Sequence, residues 1–520
     1  MSKTENNQGS TKFLYGAAVQ GIQGFIFQTN ELRDIVGASE LVENVCTSLF
    51  DEVLGDKKKE GNAIVMAAGN IKYIFDSEDD CKTVVRIFPK TVMEYAPGIT
   101  ISQAVVRYSP NDTDAFANAV QKLENRLCIQ RNKLMRDTAV GLMGIERSRQ
   151  TGLPVTHIVN NQHLDEGTYL KLYAKGGEER KNTTQRLCAK AFGNKTKITR
   201  VPFDIGEITG LNDWIAIIHA DGNGLGQVVQ RVGGNPEKLK QFSKKLDVAT
   251  TNAAVGAFES LEIPDNDKIP VRPIVLSGDD HTLICRADLA LEYVKAFIGN
   301  FEKQTKELLG NDASNQPEGN LLQGVFKGGE NFLTACAGIA FIKSSYPFYY
   351  GYQLAEALCD KAKKNTKALY NANDGNLPAS CLMFHKVQDS FITSYDDIVK
   401  RELTPQSSVS FEYGPYYINV EPLNRWTVDY LVGKSLELEN EDMRPVKTGL
   451  RNWLSLVHID MGMALQRLDR LKYISGKDSY INEVIKPRED GDKKIYPIYD
   501  ILSINAVKTK ETKTKKETQR

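Results

Sequence analysis

Trp214-Ile215-Ala216-Ile217-Ile218-His219-Ala220-Asp221-Gly222-Asn223-Gly224-Leu225-Gly226 is the stretch on which the reading of this chain turns. Trp214–Ala220 reads as a compact apolar strand. It ends in one carboxylate, Asp221, and in three glycines, Gly222, Gly224 and Gly226, whose backbone is free to wrap a triphosphate. Mg²⁺ takes hard oxygen ligands and is usually held by one or two carboxylates plus substrate phosphates, so a strand-end aspartate beside such a loop suits it. Alone, Asp-Gly-Asn-Gly is also an ordinary turn.

The next elements decide between these readings. Pro236–Leu261 is helical, with Leu239, Phe242, Leu246, Ala249 and Ala253 on one face. Pro273–Leu276 and Thr282–Cys285 are short apolar strands joined across Ser277-Gly278-Asp279-Asp280-His281, where Gly and Asp suit a tight reversal. A helix over Asp288–Phe301, a strand over Phe332–Ile342 and a helix over Gln353–Lys364 follow. The order β-α-β-β-α-β describes a ferredoxin-like sheet, in which the first strand neighbours the hairpin. Asp221 and the Asp279-Asp280 pair then converge on the same metal ions, as two-metal phosphoryl transfer requires.

The same order occurs earlier. Phe13–Phe27 and Asn62–Phe75 read as strands, with helices near Asn30–Phe50 and Asp79–Tyr95 and a last strand at Ile99–Tyr108. Gly16–Gly21 matches Ile218–Gly222, Ala67-Ala68-Gly69-Asn70 matches Leu276-Ser277-Gly278-Asp279, and Ile99–Val106 matches Leu333–Ala340, which reads as a duplicated palm. Gln20 and Asn70-Ile71 occupy the acidic positions of the first copy, so only the second can bind metal strongly. The expected fold class is therefore α+β, with two ferredoxin-like palms, the first degenerate and the second catalytic.

The expected division is a degenerate palm over 1–110, a helical and irregular connector over 111–205, a catalytic palm over 206–390, a mainly helical C-terminal domain over 391–505 and a disordered basic tail over 506–520. The connector includes a polar, Gly-rich loop at Lys175–Thr184. The C-terminal domain includes Gly414-Pro415-Tyr416-Tyr417 and a helical Lys447–Ile474.

Composition excludes several classes. In 520 residues, 41% are hydrophobic and 25% charged, and no apolar run approaches the ~20 residues of a membrane helix. Met1–Lys12 is polar and lacks a signal peptide's apolar stretch, so a cytoplasmic protein is expected. The eight cysteines have no CxxC spacing, which argues against a zinc ribbon and a disulfide framework. Lys plus Arg equals Asp plus Glu at 66 each, so the overall field gives no reason to expect strong nonspecific nucleic-acid binding.

The residues Asp221-Gly222-Asn223-Gly224-Leu225-Gly226, Ser277-Gly278-Asp279-Asp280, Ala337-Gly338-Ile339-Ala340 and Ala355-Glu356 through Ala362-Lys363 resemble the second palm of the large polymerase/cyclase subunit of type III CRISPR complexes. Gly21-Ile22-Gln23-Gly24-Phe25-Ile26-Phe27 and Leu32-Arg33-Asp34-Ile35-Val36-Gly37-Ala38-Ser39 are similar to its first palm, so the resemblance spans most of the chain. Diguanylate cyclases share the catalytic palm but lack the degenerate first copy.

The resemblance implies Asp221 and Asp279 as ligands of two Mg²⁺ or Mn²⁺ ions, with Asp280 as a third ligand or a proton acceptor near the attacking 3′-hydroxyl. Gly222, Asn223, Gly224, Gly226, Ser277 and Gly278 would line the nucleotide. Lys363 would contact triphosphate, against a bland reading as a solvated helix-end lysine. His281 reads better as a strand cap than as a contact to base or phosphate. ATP is the implied substrate, giving cyclic oligoadenylate or, with S-adenosylmethionine, an AMP conjugate. Implied partners are crRNA, target RNA and other type III effector subunits, with a homodimer as a further expectation.

The family's His-Asp nuclease domain and zinc module have no counterpart, since no adjacent His-Asp pair occurs and the connector holds only Cys128 and Cys188. No DNase activity is expected. Ser277 replaces the first glycine of the usual Gly-Gly-Asp-Asp turn and restricts backbone angles there. Rival readings are a catalytically weak RNA-binding scaffold, a stand-alone signalling cyclase and a template-dependent polymerase.

Overall fold

The computed structural model describes residues 11–67, 69–133, 143–173, 184–193, 197–209, 213–264, 267–310, 320–388, 394–420, 422 and 425–508. Most of Met1–Lys12, Ala68, the Gly-rich stretch up to residue 183 and the tail beyond Lys508 lie outside the described residues.

The first palm is built from β1 (Lys12–Gln20), α1 (Leu32–Cys46), β2 (Ala63–Ala67), β3 (Asn70–Phe75), α2 (Glu78–Tyr95) and β4 (Thr100–Tyr108). Its sheet order is β2-β3-β1-β4, antiparallel throughout. The expected first strand is shorter than its apolar run: the chain leaves it at the left-handed Gly21 and forms the helical turn Ile22–Ile26. Ser77 accepts from the Asp80 N–H, and Glu78, Asp79 and Asp80 fill the first turn of α2, so side chain and dipole together fix where that helix starts. A helix from the expected connector, α3 (Ala115–Arg131), packs on β1 and β4.

After α4 (Thr184–Phe192), the second palm repeats the pattern: β5 (Trp214–Gly222), α5 (Pro236–Glu259), β6 (Val271–Ser277), β7 (Asp280–Arg286), α6 (Ala290–Leu309), β8 (Ala335–Lys343) and α7 (Phe348–Leu369). Two strands not anticipated from sequence, β9 (Cys381–Lys386) and β10 (Tyr416–Tyr417), extend the sheet to the order β10-β9-β8-β5-β7-β6. Cys381–Lys386 carries no period-two alternation because it is buried almost throughout, as expected of a strand running parallel to its neighbour. The interior of β5 is likewise continuously apolar because helices cover both sides of the sheet: α6 on one, α7 on the other.

The two palms pack reciprocally. The first palm's α1 lies against β6, where the Ser39 hydroxyl donates to the Ile274 carbonyl, and the second palm's α5 lies against β2. Phe27 stacks on Tyr352 of α7 with ring centroids 4.4 Å apart, worth about 0.5–1.5 kcal/mol beyond the area buried. Nearby, Asn30 accepts from the Phe348 N–H at 3.0 Å and Gln23 donates to Glu356 at 2.9 Å. One contiguous set of buried apolar side chains runs through both palms and the C-terminal part.

That C-terminal part holds helices, including Arg444–Val457 and Met461–Ser475, and a three-stranded sheet of Val409–Ser410, Lys493–Ile495 and Arg488–Asp490. The apolar run read as one helix over Lys447–Ile474 is thus two, separated where Asp460 caps the second by accepting from Met463. Among the described residues, no helix is long and apolar enough to cross a membrane.

Candidate active site

Register brings the three aspartates together. Ala220 pairs with His281 in the β5–β7 ladder, so Asp221 at the end of β5 lies beside Asp280 at the start of β7. Ser277 pairs with Asp280 across a two-residue turn, Gly278-Asp279. The left-handed position of that turn is Gly278, at φ +65°, where two-residue hairpins of type II′ take glycine. Ser277 is a buried ladder residue in ordinary extended backbone, so the restriction expected from replacing a glycine there does not arise. Asp279 folds back over β5: a Cβ on Gly222 would lie 3.1 Å from the Asp279 Cβ and 3.3 Å from its Oδ2. Gly222 is what lets the turn's carboxylate approach the strand's.

The resulting charge crowding is resolved by one proton and one lysine. Burial, then a hydrogen bond with Asp221 and the charges of Asp221 and Asp280, push the Asp279 carboxyl well above its ordinary value. Burial also acts against ionised Asp221, but the hydrogen bond from Asp279 and the Lys363 ammonium outweigh it and hold that carboxyl low. Of the two, Asp279 thus holds a proton more readily and Asp221 is the one favoured as carboxylate. Lys363 of α7 donates to the Asp221 carboxylate and, at 3.0 Å, to the Gly222 carbonyl. Burial and the Asp221 charge raise Asp280 to about 6, against the opposing effects of His219 and the Thr282 hydroxyl.

Strand alternation sorts the two histidines. His219 shares its strand face with Asp221; its Nδ1 lies 3.0 Å from the Thr282 hydroxyl and 3.4 Å from Asp280. His281, next to the acidic pair in sequence, points through the opposite face into the core. Val275 O, 3.1 Å away, accepts from its Nδ1, leaving bare Nε2 to accept from the Tyr293 hydroxyl at 2.8 Å. Burial lowers its pKa to about 4. His219 was not singled out in the sequence, although the period of two from Asp221 was there to find it.

The remaining sequence candidates separate. Asn223 is turned inward, donating its side-chain N–H to Thr334 at 3.2 Å and Cys336 at 3.3 Å. Gly224 caps the short helix Leu225–Val232 at φ +79°, against the Phe326 ring, and Gly226 is exposed. Two groups of residues were given no role from the sequence. Glu356 reaches the site from α7, contributing to the raised Asp280 and tied to Gln23 of the first palm. Lys190, Asp247 and Thr250 hold the turn from behind. A shallow cleft lined by Lys295, Tyr417, Asn419 and Asp429 contains none of these groups. The chemistry follows the carboxylates rather than that cavity.

Register also corrects the match between the palms. The hairpins close on Ala67–Asn70 and Ser277–Asp280, and their ladders slip at corresponding places, between Ala63 and Val65 and between Pro273 and Val275. Asn70 therefore stands where Asp280 does, and Gly69 where Asp279 does, one position from the sequence match. Ala18, opposite Asn70 and Ser102, stands where Asp221 lies opposite Cys336; Gln20 is beyond it. The match of Ile99–Val106 with Leu333–Ala340 keeps its register, since it pairs Ser102 with Cys336.

The fold and this site define a duplicated-palm protein whose second copy carries Asp221, Asp279 and Asp280 where the first carries Ala18, Gly69 and Asn70. Residues 214–370 match the family described as Cas10/Cmr2, second palm domain, and over that segment the chain is similar to that family. No curated protein matches it. Its fold is similar to Csm1 in the Csm1–Csm4 cassette in complex with pppApA (TM-score 0.53, 12% identity, 96% of this chain, 69% of that one). It is likewise similar to the cassette in complex with cA3 (0.53, 13%, 98% and 71%) and to Csm1 in T. onnurineus (0.51, 13%, 96% and 70%). Against the cassette in complex with cA4, the chain spans 54% of that chain's length.

Proposed function

We propose that the chain is a two-metal nucleotidyltransferase that converts ATP into a nucleotide second messenger, acting as the Cas10-like subunit of a type III CRISPR defence. The observation that carries this reading is the meeting of Asp221, Asp279 and Asp280 at the tip of one palm, with the Asp279 carboxylate folded over Gly222 toward the strand that ends in Asp221. Like charges held this close are costly without a cation, and a site built for one explains the arrangement.

The donors fit a hard divalent ion, Mg²⁺ or Mn²⁺. Among the described residues, no three His, Cys, Asp or Glu side chains form a ready-made cage. A Mg²⁺ site would be completed by phosphate oxygens and water. Asp221 and Asp279 would hold the ions, with Asp280 beside them. Bound there, the ions would supply Lewis-acid activation of a ribose hydroxyl and neutralise charge on the leaving pyrophosphate.

The chain's own groups do the rest. With cations bound, Asp279 would be held as its carboxylate, and Lys363, which now contacts Asp221 and the Gly222 carbonyl, would be available to a triphosphate. Asp280, raised to about 6, can accept the hydroxyl proton near neutral pH while His219 and Thr282 hold its orientation. The Gly222–Gly224 backbone, rather than the buried Asn223 side chain, borders the phosphates. Structural likeness to Csm1 of the Csm1–Csm4 cassette supports a Csm4-like partner; crRNA and target RNA are proposed as further members of that assembly. Nothing in the site selects between cyclic oligoadenylate and an S-adenosylmethionine–AMP conjugate.

The test is incubation of purified protein with ATP and Mg²⁺ or Mn²⁺, with and without S-adenosylmethionine, beside the double variant Asp279→Ala/Asp280→Ala, with products resolved by mass spectrometry. A metal-dependent product lost in the variant supports the reading. No product, even with RNA and partner subunits added, overturns it in favour of a scaffold. Light scattering tests the homodimer separately.

A further inference from the structure

We infer that Lys190, on the helix that enters the second palm, is a positioning residue for the carboxylate hairpin, acting with Asp247 and Thr250 of α5; the inference rests on the reading of that hairpin as a metal and nucleotide site.

Both backbone groups of Gly278 are tied to α5. The Gly278 N–H points to Asp247 Oδ1 at 3.4 Å, and the Gly278 carbonyl accepts from the Thr250 hydroxyl at 2.5 Å. The same Asp247 oxygen accepts from Lys190 Nζ at 2.8 Å, and that ammonium also donates to the Leu276 carbonyl at 2.9 Å, on the strand leading into the turn. One lysine thus joins the carboxylate that holds the turn to the strand that carries it. The ion pair is half-buried, with side chains 24% and 35% exposed, so it is less screened than a surface pair.

The chemistry of the turn gives this brace its purpose. Asp221, Asp279 and Asp280 repel one another once ionised, and the simplest relief is for the tip to swing away from β5. Gly278 is the hinge of such a movement, because it is the turn's left-handed residue. Holding its N–H and C=O fixes the residue that would otherwise absorb the change. The Lys190 ammonium adds a positive charge behind the acidic cluster, where it opposes the rise that burial imposes on the neighbouring Glu43 of the first palm. In the first palm, whose turn carries no aspartate, Gly69 meets the Cys46 thiol instead of an ion pair.

The decisive experiment compares the full-length protein with Lys190→Met, Lys190→Arg and Thr250→Val. Hydrogen exchange is followed in a peptide spanning 274–282, and Mn²⁺ binding by electron paramagnetic resonance. Lys190→Met keeps the stem and removes the charge. It is expected to speed exchange at the hairpin and weaken Mn²⁺ binding, each about tenfold, as loss of a charged hydrogen bond implies. Exchange elsewhere in the sheet should stay unchanged and Lys190→Arg should restore most of both. Thr250→Val, which keeps volume, should speed hairpin exchange in the same direction. If the protein turns over ATP, Lys190→Met lowers kcat about tenfold with KM within about twofold, because geometry rather than binding is lost. Hairpin exchange within about twofold of wild type in both Lys190→Met and Thr250→Val overturns the brace. A wild type that makes no product even with RNA and partner subunits added overturns the nucleotidyltransferase reading, while hairpin exchange still decides the brace.

Discussion

The two palms share a hairpin, a bulge and a turn of the same length, yet they distribute side chains over that turn in opposite ways. In the first, the strand supplies Val19 and the turn supplies Gly69; a Cβ on Gly69 would lie 3.5 Å from the Val19 Cβ. In the second, the strand supplies Gly222 and the turn supplies Asp279, 3.1 Å from a Cβ placed on Gly222. Ile22 and Leu225 fill the same place behind them, each 2.5 Å from the imagined atom. There is room for one side chain between strand and turn, and which element provides it separates a scaffold from a site. The lesson is that the catalytic palm is marked as much by where a side chain is missing as by where carboxylates are present.

The largest expected effect comes from removing the carboxylates. Asp279→Ala/Asp280→Ala should lower nucleotide product by about 10³-fold or more in the mass-spectrometric assay, since the ions would lose most of their ligands. Asn70→Ala, at the corresponding place in the first palm, should leave product within about twofold, having no ligand to lose. Equal losses from both would abolish the distinction between the palms.

Gly222→Val copies the first palm's strand into the second. The added side chain displaces Asp279, and a shift of about 1 Å at reacting groups costs about 10²-fold, so kcat should fall by that order while the protein stays folded in calorimetry. Full activity would show that strand and turn do not compete for space. Lys363→Met should cost less, about tenfold, mostly in KM for ATP if the ammonium moves from Asp221 to triphosphate; a change confined to kcat would point instead to orientation of Asp221.

The smallest effect is on stability. Asp280→Asn turns the second palm's residue into the first palm's Asn70. The Asp280 carboxyl is raised to about 6 from 3.8, so its ionisation opposes folding: the opposition is absent below pH 3.8 and complete above pH 6. With divalent cations removed, Asp280→Asn should therefore stabilise at pH 8 and be neutral at pH 3.5. Solvent reaches a side chain 37% exposed, which limits the gain to about 1 kcal/mol. Added Mg²⁺ should erase or reverse that advantage in a thermal melt.

Much of this was legible in the sequence because both palms are made of strong local signals. The strand Trp214–Gly222, the helix Pro236–Glu259 and the hairpin about Ser277–Asp280 each announce themselves by apolar period, an N-cap Asn-Pro and turn residues. Three kinds of information were not local. Register placed Ala18 and Gly69, rather than Gln20, at the acidic positions, because a one-residue slip is invisible without the pairing. Cys381–Lys386 joined the sheet because β8 offered it a parallel edge, which no feature of its own six residues states. Lys190 reached the turn from a segment whose neighbours in sequence carry no motif at all.

The exchange of Val19 and Gly69 for Gly222 and Asp279 also has a historical reading. A sequence carrying the bulky residue on both strand and turn forces one of them aside, whereas one carrying glycine on both is merely loose. A path between an active and an inactive palm that keeps strand and turn from crowding each other therefore passes through the double glycine. Losing the turn's aspartate takes one substitution from the active state; once the strand has gained its valine, restoring it takes two, in a fixed order. The first palm has gone past that point, which makes its silence a ratcheted state rather than a reversible one.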